Sequence, residues 1–449
     1  MHSRPSRSVR SQPWLLLACL LCVGAGVVAA LNFASPASAQ HHRRRPGVRV
    51  AGTRVQLQAG HWIATWGASP EAPAPGTRAA AGFADQTIRN VVFTSVGGTM
   101  VRVRFTNAFG TVPVQIGRAA IGVAGDGGRV VAGTSVPLAF DGRPAVSIPP
   151  GGEVVSDPAP LAVRGLQNLA VSVFLPRSTG PATEHAIARQ ANYVAEGDHA
   201  RDGSGSAFTA QDASWFFIDG VDVLSRAPGA GTIVALGDSI TDGVGSRVGA
   251  DARWPNDLAR RLDASGQETV GVVDEGIAGN RVLSDPPCCG PSAVARFQTD
   301  VAERSGAREV ILLEGINDIG QVRTDGLLTA PHADVSAAEI IAGDEELISA
   351  AHAAGLEIIG ATLTPFGGSV RWTAAGELKR EQVNNWILTS AAFDGVIDFA
   401  KAVADPADPQ IFDPVYDSGD HLHPNDAGYV AMANAINLTM LRRHERRAR

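Results

Sequence analysis

From about His61 to Asp219 the chain alternates apolar and polar residues with a period of two. MVRVRFTN (100–107) sets Val101, Val103 and Phe105 on one face and Arg102, Arg104 and Thr106 on the other. LAVSVFLP (169–176) repeats the pattern with Leu169, Val171, Val173 and Leu175. Such alternation belongs to strands with one buried face. The clusters GDGG (125–128) and PPGGE (149–153) separate short strands, which predicts an antiparallel β-sandwich or jelly roll over residues 59–224. SRAPGAG (225–231) reads as a linker.

Beyond Gly231 the period changes. Unbroken apolar strands are expected at Thr232–Leu236, Val270–Val273, Val310–Leu313, Ile358–Ala361 and Val396–Phe399. Helical patterns fall between them, near Pro255–Ala264, Ala293–Arg304, Ala337–Ala354 and Glu377–Ser390, with a last helix from about Asn425 to Leu441. Strands without alternation are covered on both faces, and strand–helix alternation implies right-handed crossovers. Residues 232–441 are therefore expected to form an α/β domain: a parallel sheet between helical layers. In such sheets ligands sit at the carboxyl ends of the strands.

The two ends of the chain are not fold material. Arg4, Arg7 and Arg10 precede an apolar run from Trp14 to Leu31, and Ala37-Ser38-Ala39 is a small-x-small cleavage pattern, so residues 1–39 read as a secretory signal. An uncleaved anchor is the competing reading, because the run is nearly long enough to span a bilayer. Residues 40–58 read as a flexible basic linker and 442–449 as a basic tail. Cleavage removes three arginines and no acids, leaving 35 basic against 45 acidic residues, a charge of −10. That surface argues against nucleic acid as a partner, and against a membrane unless the N-terminal segment stays attached. Cys19 and Cys22 leave with the signal, and the adjacent Cys288 and Cys289 remain as either a vicinal disulfide or two free thiols. Lysine occurs only at Lys379 and Lys401, neither beside a chemical motif, which disfavours Schiff-base chemistry.

Four stretches fall at the carboxyl edge: GDSITDG (237–243), EGIAGNR (275–281), EGINDIG (314–320) and DHLHPND (420–426). Each has a structural reading alone. Ser239 opens a helix, Gly279 makes a turn, Asn317 and Asp318 open another helix, and His423 precedes a proline. Together they supply acyl transfer. Ser239 needs a base, and His423 is the residue type that acts near neutral pH. Asp420, three residues before it, can hold the other ring nitrogen. The backbone N–H groups of Ser239 and Gly279 and the Asn317 amide can serve as oxyanion donors. Asp420, His421 and His423 could also form a metal cluster, but an acidic, solvated loop is favoured because no second His/Cys group completes a site. No metal or cofactor is expected.

These four ordered blocks resemble the SGNH (GDSL-type) hydrolases, a family named for its serine, glycine, asparagine and histidine. The resemblance implies a flavodoxin-like α/β/α sandwich and catalytic roles for Ser239, Asp420 and His423, with Ser239, Gly279 and Asn317 as oxyanion hole. TWGASP, TNAFGT and VILLEGINDIG extend the likeness to secreted bacterial two-domain members. Thr241 stands where G-x-S-x-G needs its second glycine, so an ordinary α/β-hydrolase is disfavoured. The expected activity is that of a secreted serine esterase on a small-molecule or polysaccharide ester, removing acetyl or other small acyl groups from carbohydrate. A lipase or arylesterase is the alternative within enzymes, and an inactive cell-surface binding module the alternative outside them. In the β-rich half, Trp62, Trp66, Trp215 and Phe216 are candidates for a sugar-stacking face, with the core the favoured place for most of them.

Overall fold

The computed structural model describes residues 60–286, 288–320 and 333–442. The signal segment, the basic linker and the tail beyond Arg442 lie outside the described residues. The described residues belong to one compact unit. No helix among them is long and apolar enough to cross a membrane.

Among the described residues two main antiparallel sheets build the N-terminal half, with two-stranded ribbons at Glu184–His185 with Trp215–Phe216 and at Val114–Ile116 with Val146–Ile148. The smaller has the strand order His61–Gly67, Ile218–Ser225, Val101–Thr106 and Glu153–Val155. The larger runs Ala210–Asp212, Asn192–Glu196, Gln86–Thr94, Gln167–Leu175, Arg118–Val123 and Val136–Pro137. The period-two pattern does what it implies, since Val101, Val103, Phe105, Leu169, Val171, Val173 and Leu175 are all buried in one core. Trp66, Trp215 and Phe216 are buried there too, and Trp62 is half-buried under the guanidinium of Arg102, 4.5 Å from the ring centroid. The polar face of the smaller sheet meets the C-terminal half instead of water. Arg102 donates to Asp222 at 2.8 Å and to Ser305 at 3.0 Å, and Arg304 reaches across to Asp219 at 3.2 Å.

Among the described residues the C-terminal half holds five parallel strands: β1 (Gly231–Gly237), β2 (Val270–Gly276), β3 (Ala307–Leu313), β4 (Glu357–Ala361) and β5 (Gly395–Ile397). Their spatial order is β2-β1-β3-β4-β5, a doubly wound sheet whose order reverses beside β1. Eight helices accompany them among the described residues: α1 (Ser239–Asp242), α2 (Trp254–Ala264), α3 (Ala293–Phe297), α4 (Ile316–Gly320), α5 (Ala337–Ala353), α6 (Ala374–Thr389), α7 (Phe399–Val403) and α8 (Asp426–Ala435). Register sets the site. Gly237 pairs with Gly276 on one side and Leu313 on the other, so three strands end in one row. Ser239, Gly279 and Asn317 follow that row by two, three and four residues.

Three expectations need correction. Phe399 opens α7 instead of ending β5, because the Asp398 side chain caps the turn through Lys401 N at 3.1 Å. The last helix stops at Ala435, where Ile436 turns extended, and a separate 3₁₀ turn follows at Met440–Arg442. The helix expected over Ala293–Arg304 changes at Gln298 into a π turn that ends at Ala302. The two cysteines are joined as a vicinal disulfide.

Candidate active site

β1 ends at Gly237 because nothing larger fits: a Cβ there would lie 2.3 Å from Thr241 Oγ1 and 2.4 Å from Leu313 O. Asp238 then caps α1, its carboxylate accepting from Ile240 N at 2.9 Å. The capping task is thus met by the residue before Ser239, and the Ser239 hydroxyl is turned elsewhere. Its Oγ lies 2.8 Å from His423 Nε2. On the other side of the ring His423 Nδ1 is 2.6 Å from Asp420 Oδ2. A carboxylate at Nδ1 keeps the proton there, which leaves the Nε2 lone pair to accept from the serine hydroxyl.

Local geometry of the DHLHP turn explains the spacing of three. Asp420 Oδ1 accepts from Leu422 N at 3.0 Å and His423 N at 2.9 Å, so the carboxylate folds back under its own loop. Burial alone would raise the Asp420 carboxyl, but the His423 side chain and these backbone donors hold it well below the usual carboxylate range. His421 goes elsewhere: with a left-handed φ of 61° it faces Asp417 Oδ2 at 2.5 Å and stays exposed. The three candidate metal ligands are therefore split between two hydrogen-bonded pairs, one at each carboxylate. Among the described residues no group of His, Cys, Asp and Glu converges as a metal site. The His423 loop is clamped to the serine loop, with Tyr429 OH donating to Val244 O at 2.5 Å and Arg247 N donating to Asp426 at 2.8 Å.

The Gly279 and Asn317 blocks are bound to each other. Gly279 has a φ of 83°, a conformation that favours glycine. Asn317 Nδ2 donates to Asn280 O at 2.9 Å, and its Oδ1 accepts from Arg371 at 2.9 Å. Arg371 thereby fixes which end of the amide is the donor end. Asp318 accepts from Val282 N at 2.9 Å and Leu283 N at 3.3 Å, pinning the chain just beyond Gly279. Burial is the main cause that pushes the Asp318 carboxyl up to about 6 and Asp238 up to about 7, and it raises Glu314 well above the usual range.

One residue that sequence reasoning passed over organises this edge. Arg296, fully buried on α3, donates to Gly237 O at 2.9 Å, Glu275 O at 2.6 Å, Asn280 Oδ1 at 3.0 Å and Ser69 Oγ at 2.9 Å. It ties the ends of β1 and β2 to the residue after Gly279. The available signal was an arginine inside the apolar helical run AVARF. Arg371 gave none, standing alone in a loop.

Residues 235–431 match the model of the GDSL-like Lipase/Acylhydrolase family. This part of the chain is a GDSL-like lipase/acylhydrolase domain, and the protein is an ester-bond hydrolase of that type. The GDSL-like domain is similar to solved structures that include a carbohydrate acetylesterase family member from Sinorhizobium meliloti (18% identity over 47% of this chain and 98% of that one, TM-score 0.37). An aryl esterase from M. smegmatis, in an inhibitor-bound form, matches at 18% over 48% and 99%, TM-score 0.36. A GDSL-like lipase from Bacteroides thetaiotaomicron matches at 18% over 47% and 88%, TM-score 0.35. Comparison with curated proteins finds none that matches the chain.

Two clefts flank the loop that carries Arg371. One, about 480 Å³, is lined by Ile319, Gly320, Arg371, Trp372 and Lys379 among others. The other, about 400 Å³, lies beside His421 and is walled by Ile411, Phe412 and Pro414.

Proposed function

We propose that this protein is an exported serine esterase that removes acetyl or other small acyl groups from carbohydrate through an acyl-enzyme on Ser239. The observation that carries the reading is the continuous chain Ser239 Oγ to His423 Nε2 to Asp420, at 2.8 and 2.6 Å. His423 takes the hydroxyl proton as Ser239 Oγ attacks the ester carbonyl. The tetrahedral oxyanion is held by the N–H groups of Ser239 and Gly279 and the Asn317 amide. Collapse breaks the bond to the alcohol, which leaves with the proton returned by His423. Water then enters by the same base, the acyl–serine bond breaks, and the acid is released. Asp420 stabilises the imidazolium in both steps.

A sugar alcohol is favoured by the cleft of mixed polar and apolar lining that Arg371, the partner of Asn317, helps to wall, where Trp372 is 37% exposed next to Arg371 and Lys379 and offers a ring face for stacking. Export rests on the signal pattern of residues 1–39, and the Cys288–Cys289 disulfide suits an oxidising compartment. A second reading, an arylesterase or lipase of the same mechanism, draws on the apolar cleft at Ile411 and Phe412. Acid release from acetylated glycans and from aryl esters of increasing acyl length separates the two. Acetyl glycans are expected to be cleaved fastest. Preference for long acyl chains would replace this reading by the lipase, and binding of glycans without any ester turnover would replace it by a binding module.

A further inference from the structure

Acyl transfer at Ser239 uses no residue of the β-rich half, yet that half reaches the edge through Ser69, which accepts from Arg296, and through His185. His185 lies on the short strand Glu184–His185, 3% exposed. Its Nδ1 is 2.9 Å from Ser69 O and its Nε2 is 3.1 Å from Asp242 Oδ1. A carbonyl and a carboxylate can only accept, so both ring nitrogens donate and the ring is an imidazolium. Glu71 stands 3.9 Å away, and Asp274 and Glu184 are the other carboxylates near it. Burial opposes the charge, but Asp242, Glu71 and the Ser69 carbonyl outweigh it and raise the ring to about 9.

Asp242 is the link. It stands three residues after Ser239 in α1, and its second oxygen accepts from Ala278 N at 3.2 Å. Ala278 immediately precedes Gly279. One carboxylate therefore bridges the serine's helix and the Gly279 loop, and its direction is set by His185. Arg253 assists from the backbone side, donating to Asp242 O at 2.6 Å. The packing is close: a Cβ on Gly276, the last residue of β2, would lie 2.2 Å from Asp242 N, so the start of the Gly279 loop lies directly against α1.

We propose that His185 is a positioning residue for the oxyanion donor at Gly279, acting through Asp242 and Ala278. This gives the β-rich half a part in catalysis, and it rests on the assignment of Ser239 as nucleophile and Gly279 as donor. A tilt of the 278–279 peptide misdirects a donor needed chiefly in the transition state, so the loss falls on kcat and not on KM.

The test compares His185→Leu, His185→Gln and His185→Asn in the full protein, with p-nitrophenyl acetate as substrate and an alkyl phosphonate as serine probe. Gln carries an N–H at the place of Nε2 and can keep the bond to Asp242, whereas Asn is too short to reach. Leu and Asn are expected to lower kcat per folded molecule about 10- to 100-fold, with KM within about twofold. Phosphonylation of Ser239 should slow by the same factor, and Gln should restore most of both rates. A purely structural role lowers the thermal midpoint of all three and leaves kcat per folded molecule unchanged, which overturns the proposal. Should His185→Leu fail to fold, equal rates for Gln and Asn overturn it and a Gln rate well above Asn supports it. Ser239→Ala is measured alongside. Turnover surviving in that variant sinks the nucleophile assignment itself, whatever the His185 variants do.

Discussion

The seam between the two halves and the carboxyl edge of β1–β3 use the same residue types for different ends. At the seam, charges are consumed in pairs. Arg102 meets Asp222, and Arg304 meets Asp219 and Glu275, all but Arg102 nearly fully buried. At the edge, the histidine–carboxylate pair leaves one capacity unspent: His423 gives one nitrogen to Asp420 and aims the other at a hydroxyl. The lesson is that a charge marks structure when it is buried against opposite charges, and chemistry when its histidine partner points its other nitrogen at a hydroxyl. Variants that remove a buried ion-pair partner should cost stability, and variants at the edge should cost rate.

The largest effect is expected at the two neighbouring histidines. His423→Ala should lower kcat by roughly 10⁴-fold or more, while His421→Ala, whose ring faces Asp417 and solvent, should cost at most a small factor. Asp420→Asn should fall between, since the serine–histidine pair and the oxyanion donors survive it. Steady-state turnover of the three variants is the measurement. A lethal His421→Ala beside a mild His423→Ala would reverse the assignment and erase the contrast between the two carboxylates.

Next comes the seam. Arg304→Met leaves Glu275 buried without its cation and Asp219 with only the more distant Arg104, and the burial of Glu275 already pushes its carboxyl up to about 8. Breaking such a pair costs about 3–5 kcal/mol. Urea unfolding should register that loss with turnover per folded molecule unchanged. A rate loss at full stability would mean that the seam is part of the chemistry.

Much of this was legible in advance, and the boundary is physical. Ser239, Gly279, Asn317, Asp420 and His423 stood out because each block combined a chemical residue with a strand end or a turn. The parallel sheet was legible because a short unbroken apolar run such as Ile233–Leu236, closed by a glycine, suits a strand covered on both faces. The seam was not. Arg102 and Arg104 alternate with valines as solvent-facing residues do, and nothing in MVRVRFTN says that another part of the chain covers that face. Arg296, Arg371 and His185 were missed for the same reason: each is a single residue whose partners are distant in sequence. The end of the last helix at Ala435 was hidden because Leu438, Thr439 and Met440 continue an acceptable helical pattern past Ile436.

At the edge itself, Asn317→Ala should lower kcat by roughly 10²–10³-fold with little change in KM. Arg371→Met keeps the amide but frees its oxygen from the 2.9 Å bond, so it should lose a smaller part of the same rate. If Asn317→Ala instead lowers only the thermal midpoint, Asn317 is a turn residue and belongs with the structural groups of the seam.

The smallest effect tests the opposite end of the same sheet. Glu309 sits near the start of β3, fully buried, and neither carboxylate oxygen has a hydrogen-bond partner among the described residues. Burial is the main cause that pushes it up to about 8; Arg308 opposes the shift and Glu357, its neighbour across β4, adds to it. The carboxyl is therefore easier to ionise in the unfolded chain than in the fold. Its contribution is fully present below about pH 4.5 and is lost as pH rises toward 8, above which the deficit is constant. Glu309→Gln has no proton to lose. It should match the parent protein near pH 4–5 and exceed it at pH 9 by about 1–3 kcal/mol, the gap opening between those values. Turnover per folded molecule should not change, because the site lies at the other end of the strand. Urea unfolding at pH 5, 7 and 9 measures the gap. A difference that is the same at all three pH values would mean that Glu309 is ionised in the fold, and so one more buried structural charge like those of the seam.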